Sequence, residues 1–181
     1  MKNLRGFVGQ PMTWTQANAS ERTYELRAGN DVVAILRWQK AGGSLALGES
    51  AEGKWSFKRT GFFGPKITVR AAGTESDIAV FTPDWFAGKG TLELAGGAKY
   101  RWVTTSFWRS QMAFCNEAGQ PLVQYKPEWL LQLAAAKVEI APAGAAVSEL
   151  SLLTVLGWYF MLLMAEDTEA TSVVAGAAVM G

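Results

Sequence analysis

Between residues 13 and 140, apolar and polar positions alternate in short segments. Glycine-rich or polar turns interrupt them every 8–12 residues or so. Alternation at a period of two sends successive side chains to opposite faces of a sheet, so each segment reads as a strand with one buried face. Tyr24 and Leu26 alternate with Glu25 and Arg27, and after the turn Gly29-Asn30-Asp31 the chain resumes from Val32 to Trp38, which predicts a hairpin. Further strands are predicted over 44–48, 54–59, 66–71, 77–82, 91–95, 99–104, 108–114, 122–126 and 135–140, with an edge segment at 13–16. About twelve strands are more than an open twisted sheet holds without curling or closing, so a closed barrel or a sandwich follows. A faint echo runs through the set: Leu45-Ala46-Leu47, Lys54-Trp55-Ser56-Phe57 and Phe62-Phe63 recur as Leu92-Glu93-Leu94, Lys99-Tyr100-Arg101-Trp102 and Phe107-Trp108. Any two amphipathic hairpins share that much, and the echo assigns no function.

After Ile140 the pattern changes. A link of alanine, proline and glycine leads to Ser148, a predicted N-cap, and to Glu149, whose charge suits the positive end of a helix dipole. In the run 150–165 that follows, Leu152, Leu153, Val155, Leu156, Trp158, Tyr159, Phe160, Met161, Leu162, Leu163 and Met164 surround a helix axis on every side. Such a helix must be enclosed by protein or by lipid. Its sixteen residues span about 24 Å, short of the roughly 30 Å hydrocarbon layer. Its flanks are Glu149 and then Glu166, Asp167 and Glu169, and no Lys or Arg follows Lys137, so the basic orientation signal of a membrane span is missing. The helix over 148–165 is therefore expected inside the strands, where about ten large side chains would each contribute about 1.5–3 kcal/mol. A tail anchor over 150–165 is the alternative. Gly157 costs about 1 kcal/mol in a helix interior and marks a close approach to a strand. Residues 166–181 are read as a tail, and 1–181 as one domain with its barrel at 13–140.

The strand spacing, the closing segment Leu152-Leu153-Thr154-Val155-Leu156-Gly157-Trp158-Tyr159-Phe160, and the segments Trp55-Ser56-Phe57-Lys58-Arg59-Thr60-Gly61-Phe62-Phe63 and Ser106-Phe107-Trp108 together resemble the tubby C-terminal-like superfamily. That group takes in tubby domains, phospholipid scramblases and LURP-one-related proteins, and the closing segment is similar to those of its small bacterial members. The resemblance implies a mainly β fold: a twelve-stranded closed barrel around a buried hydrophobic C-terminal helix. It also implies phosphoinositide binding, lipid movement or no known activity, because members differ. The proline-rich arm, acylated cysteine cluster and acidic calcium loop of the scramblases have no counterpart here, and no ligand residue of tubby can be matched to a position in this chain. Fold alone does not settle function.

Charge narrows the partners. With 17 Lys and Arg against 16 Asp and Glu, no global field holds a polyanion, so nucleic acid is not expected and anion binding requires a local patch. Cys115 is the single cysteine, which fits a reducing compartment, and residues 1–12 carry no apolar signal run, so a cytoplasmic location is expected. The sequence has no histidine, which removes Ser-His-Asp and Cys-His catalysis and histidine metal sites. Phosphate-loop and nucleophile-elbow motifs are absent as well. Glu166-Asp167 reads as solubilising the end of an apolar helix, and no base candidate stands beside Cys115. A non-catalytic domain without cofactor or metal is expected.

One constellation carries chemistry. If 54–60 and 66–71 form a hairpin, Trp55, Phe57, Ile67 and Val69 face inward while Lys54, Ser56, Lys58, Lys66, Thr68 and Arg70 face outward. Lys54, Lys58, Lys66 and Arg70 would then share one face with Phe62 and Phe63 at its tip, a candidate contact for an anionic phospholipid surface or a protein partner. The plainer reading is a solvated outer wall, with the phenylalanines plugging a barrel end. A carbohydrate-binding sandwich using Trp85, Trp108 or Trp129 is a further alternative.

Overall fold

The computed structural model describes the chain except residues 19–20, 41, 62–63, 85–87, 106–110, 129–134 and 179–181, and describes only the backbone at residues 18 and 169–178. Twelve strands appear, as the alternation predicts: β1 (Met12–Asn18), β2 (Thr23–Ala28), β3 (Asp31–Trp38), β4 (Ala46–Ser50), β5 (Gly53–Thr60), β6 (Lys66–Ala71), β7 (Asp77–Pro83), β8 (Gly90–Leu94), β9 (Lys99–Thr104), β10 (Met112–Cys115), β11 (Pro121–Pro127) and β12 (Ala135–Ile140). Of the strand predicted over 108–114, residues 108–110 lie outside the described residues. Each pairs antiparallel with the next, and β1 closes the ring against β12 through Met12 opposite Val138 and Trp14 opposite Ala136. The sheet is thus a closed meander. The segment expected at an edge has partners on both sides, and closure leaves no open edge to aggregate.

Helix α1 (Leu150–Ala178) runs up the barrel axis, and every residue from 150 to 163 is buried. Successive residues on a helix point about 100° apart. Three consecutive aromatics therefore reach three parts of the wall. Trp158 stacks on Trp14 of β1 at 5.9 Å between centroids and meets Tyr24 of β2 edge-on. Tyr159 packs on Trp38 of β3 and Phe57 of β5, and Phe160 on Phe81 of β7, Trp102 of β9 and Phe114 of β10. The inward residues of the alternating strands and an all-round apolar helix complete one another's burial.

Gly157 lies against Tyr125 of β11, as its cost in a helix interior implies. A Cβ there would stand 2.4 Å from the ring Cζ and Oη. The buried Tyr125 hydroxyl donates toward the carbonyl oxygens of Leu153 and Thr154, 2.9 Å from each, and burial pushes its pKa well up, so it stays a donor. Gly48 in the wall makes the matching allowance for Val155, whose Cγ1 would lie 2.8 Å from an added Cβ. Gly157→Ala gains about 1 kcal/mol of helix propensity but overpacks a rigid ring at about 1–3 kcal/mol. A net loss of up to about 2 kcal/mol is expected in urea denaturation, smaller in a Tyr125→Phe background, where the hydroxyl is gone.

At the end where α1 enters, polar groups close the barrel. Arg5 donates to the carbonyls of Ala145 and Val147 and pairs with Glu52, which also accepts from Ser151. Ser148, expected as a cap, instead donates its hydroxyl to the Glu149 carboxylate at 2.9 Å, and the Tyr100 hydroxyl donates to the same carboxylate at 2.7 Å. Burial would raise the pKa of Glu149, but these hydrogen bonds, its own backbone N–H and the charge of Arg5 outweigh burial and hold it below the usual carboxylate range. At the opposite end, the mouth, α1 does not stop at 165 but continues as helix to Ala178. The start of the predicted tail has partners there: Glu166 pairs with Arg22, and Asp167 accepts from Arg59 with both oxygens at 2.8 Å. Residues Leu150–Thr168 are long and apolar enough to cross a membrane, but 78% of that stretch is buried inside the barrel.

Candidate functional site

The outer wall of β5 and β6 follows the expected parity. Trp55, Phe57, Ile67 and Val69 are buried, with Phe57 opposite Val69, while Lys58 and Lys66 are exposed. Register sets Ser56 opposite Arg70, Lys58 opposite Thr68 and Thr60 opposite Lys66. Arg59 has inward parity but stands at the mouth end of its strand, which is why it reaches Asp167 on α1 rather than solvent alone.

The four cations of the row are not equivalent. Lys54 sits 2.9 Å from Glu49, directly across the β4–β5 pair, and Arg70 holds Asp77 at 2.6 Å and Glu75 at 3.3 Å. Both stand toward the closed end and are neutralised by neighbouring strands. Lys58 and Lys66, toward the mouth, have no ion-pair partner among the described residues. An amine already held by a carboxylate has little left to offer a second anion, so the row reduces to Lys58 and Lys66. Phe62 and Phe63, which follow in the same hairpin, lie outside the described residues.

Two neighbours escaped the sequence reading. Leu45 and Leu47 are 39% and 40% exposed, and Leu47 stands opposite Ser56 on the outer wall beside Lys58. Of the three residues Leu45, Ala46 and Leu47 it is Ala46 that is buried, opposite Phe57. The available signal was the small residue between two leucines, in a strand whose next inward position, Gly48, has no room for a Cβ beside Phe57 and Val155.

Cys115 is buried, and desolvation raises its thiol pKa against a smaller opposing effect of Arg101, so it is a poor nucleophile. Among the described residues, no three Cys, Asp or Glu side chains gather as a metal site would require. Closure of the sheet excludes the sandwich architecture, and Trp85, Trp108 and Trp129, named above for carbohydrate, lie outside the described residues. Comparison with protein-family models, with curated proteins and with solved structures finds no match to this chain.

Proposed function

We propose that this domain is a non-catalytic, peripheral binder of anionic phospholipid, working at the cytoplasmic face of a membrane. The observation that carries the reading is the pair Lys58 and Lys66: exposed, on adjacent strands, and without the carboxylate partners that their neighbours Lys54 and Arg70 have. Leu45 and Leu47 add exposed apolar surface beside them. The barrel wrapped on a hydrophobic C-terminal helix also supports membership of the tubby C-terminal-like superfamily, where lipid binding recurs.

A basic side chain at an anionic surface contributes about 1 kcal/mol, so the two lysines together account for roughly thirtyfold in partitioning. The double variant Lys58→Glu/Lys66→Glu is therefore expected to sediment at least that much more weakly with phosphatidylserine-containing liposomes. Added salt should weaken the wild type, and thermal melting should stay unchanged because both side chains are exposed. Equal sedimentation of variant and wild type, or no sedimentation of either, would contradict the reading.

A further inference from the structure

The twelve-strand meander sorts its charges by end. Connections after β1, β3, β5, β7, β9 and β11 open at the mouth, where α1 emerges, and those after the even strands open at the closed end. Toward the closed end the cations are paired: Lys2 with Asp31 at 2.7 Å, Arg27 with Glu25 at 2.5 Å and Lys99 with Glu93 at 3.6 Å, besides Arg5, Lys54 and Arg70 already described. At the mouth, Arg37, Lys40, Lys58, Lys66, Lys89 and Lys126 are exposed and have no ion-pair partner among the described residues. Apart from them, only Arg101 in the middle of β9 lacks one among the described residues. An isolated exposed lysine is ordinary. Gathering of six of the seven unpaired ones at one end is not, since like charges held there repel one another until a counter-anion arrives.

Exposed apolar side chains follow the same division. Of the four large exposed hydrophobic residues among those described, Leu45, Leu47 and Met164 stand toward the mouth, and only Met1 does not. The acids that α1 brings to this end, Glu166 and Asp167, are taken up by Arg22 and Arg59, so they do not cancel the free cations. Five of those six cations lie on the arc from β3 to β8, which also carries both leucines. Five interstrand spacings of about 4.8 Å make that arc roughly 24 Å wide along the wall.

We infer that the barrel docks end-on to an anionic bilayer, with the mouth facing the membrane and the β3–β8 arc as the contact surface. This rests on the lipid-binding reading above and goes further, because it assigns an orientation and adds Arg37, Lys40 and Lys89, none of which belongs to the β5–β6 row. One phosphate cannot reach cations distributed over six strands, whereas a sheet of headgroups meets them together. Leucines among cations match the boundary between headgroups and acyl chains, where apolar burial adds to electrostatic attraction.

The test compares two variants with the same change in net charge on vesicles of equal parts phosphatidylcholine and phosphatidylserine. Arg37→Gln/Lys40→Gln/Lys89→Gln alters the mouth, and Lys2→Gln/Arg27→Gln/Lys99→Gln alters the closed end. Circular dichroism melts check that both fold. The mouth triple is expected to weaken partitioning about a hundredfold, from roughly fivefold per basic residue. The closed-end triple should change it by less than about twofold, because its charges stand beyond a Debye length of about 8 Å from the surface. Equal weakening by both triples would leave lipid binding standing but overturn the orientation. So would loss in Lys58→Glu/Lys66→Glu with none in the mouth triple. Absence of binding by the wild type would overturn this inference together with the reading it rests on.

Discussion

Replacing Leu156 by Asp is expected to unfold the entire domain rather than to loosen one element. Leu156 is fully buried near the centre of the part of α1 that fills the barrel, and its neighbours in sequence pack on opposite sides of the wall. A carboxylate placed there finds no cation: Arg22 and Arg59 stand at the mouth with Glu166 and Asp167, and Arg5 stands at the closed end with Glu52. Burying an unpaired charge costs several kcal/mol even after its pKa shifts, and loss of the leucine adds about 2–5 kcal/mol. Domains of this size have about 5–15 kcal/mol in total, so the sum takes most or all of the stability. The expected result is loss of the cooperative thermal transition and of the near-ultraviolet circular dichroism contributed by Trp14, Trp102 and Trp158. A wild-type melt in detergent-free buffer would mean that α1 is not enclosed.

Much of this architecture is legible in the sequence because strand parity and helix amphipathicity are local properties. The period-two alternation locates all twelve strands, and the all-round apolar run locates the filling. Closure is not local: it depends on β1 finding β12, as in Met12 opposite Val138, a pairing that no short window contains. Strand count alone therefore leaves barrel and sandwich open, and it is the family resemblance that implies the closed barrel the structure shows. The continuation of α1 past 165 was hidden for a similar reason, since the cations that hold Glu166 and Asp167 come from residues 144 and 108 positions away. The echo between the two hairpins holds for Trp55 and Phe57 against Tyr100 and Trp102, all buried, but fails for Leu45 and Leu47, which face solvent while Leu92 is fully buried. In the cation row, parity gave the right face but not the right charge. Glu49 and Asp77 lie across short hairpins from Lys54 and Arg70, so the hairpin register itself sets a carboxylate opposite each of these cations. The gathering of free cations at the mouth required counting strands, since only alternate connections of a meander share an end.

Deleting everything after Ile140 is expected to leave a chain that cannot hold its barrel. Trp14, Trp38, Phe57, Phe81, Trp102 and Phe114 all pack on Trp158, Tyr159 or Phe160, and without α1 these rings would line an empty interior. Protein interiors are close-packed, and removal of a central filler costs both the transfer free energy of the helix and that of the cavity it leaves. Eleven of the fourteen buried helix residues carry large apolar side chains, and at about 1.5–3 kcal/mol each they exceed the whole stability of a domain. The barrel must therefore collapse, aggregate or remain molten, with strand-like far-ultraviolet circular dichroism but no fixed tertiary signal. A tail-anchored arrangement requires the opposite, because a barrel standing on a membrane helix would survive removal of its anchor. The deciding measurement is the solution state of residues 1–140, by size exclusion and near-ultraviolet circular dichroism in detergent-free buffer. An insoluble or molten fragment is the result predicted by a barrel built around its own helix, and a soluble, monomeric, cooperatively melting fragment would contradict it.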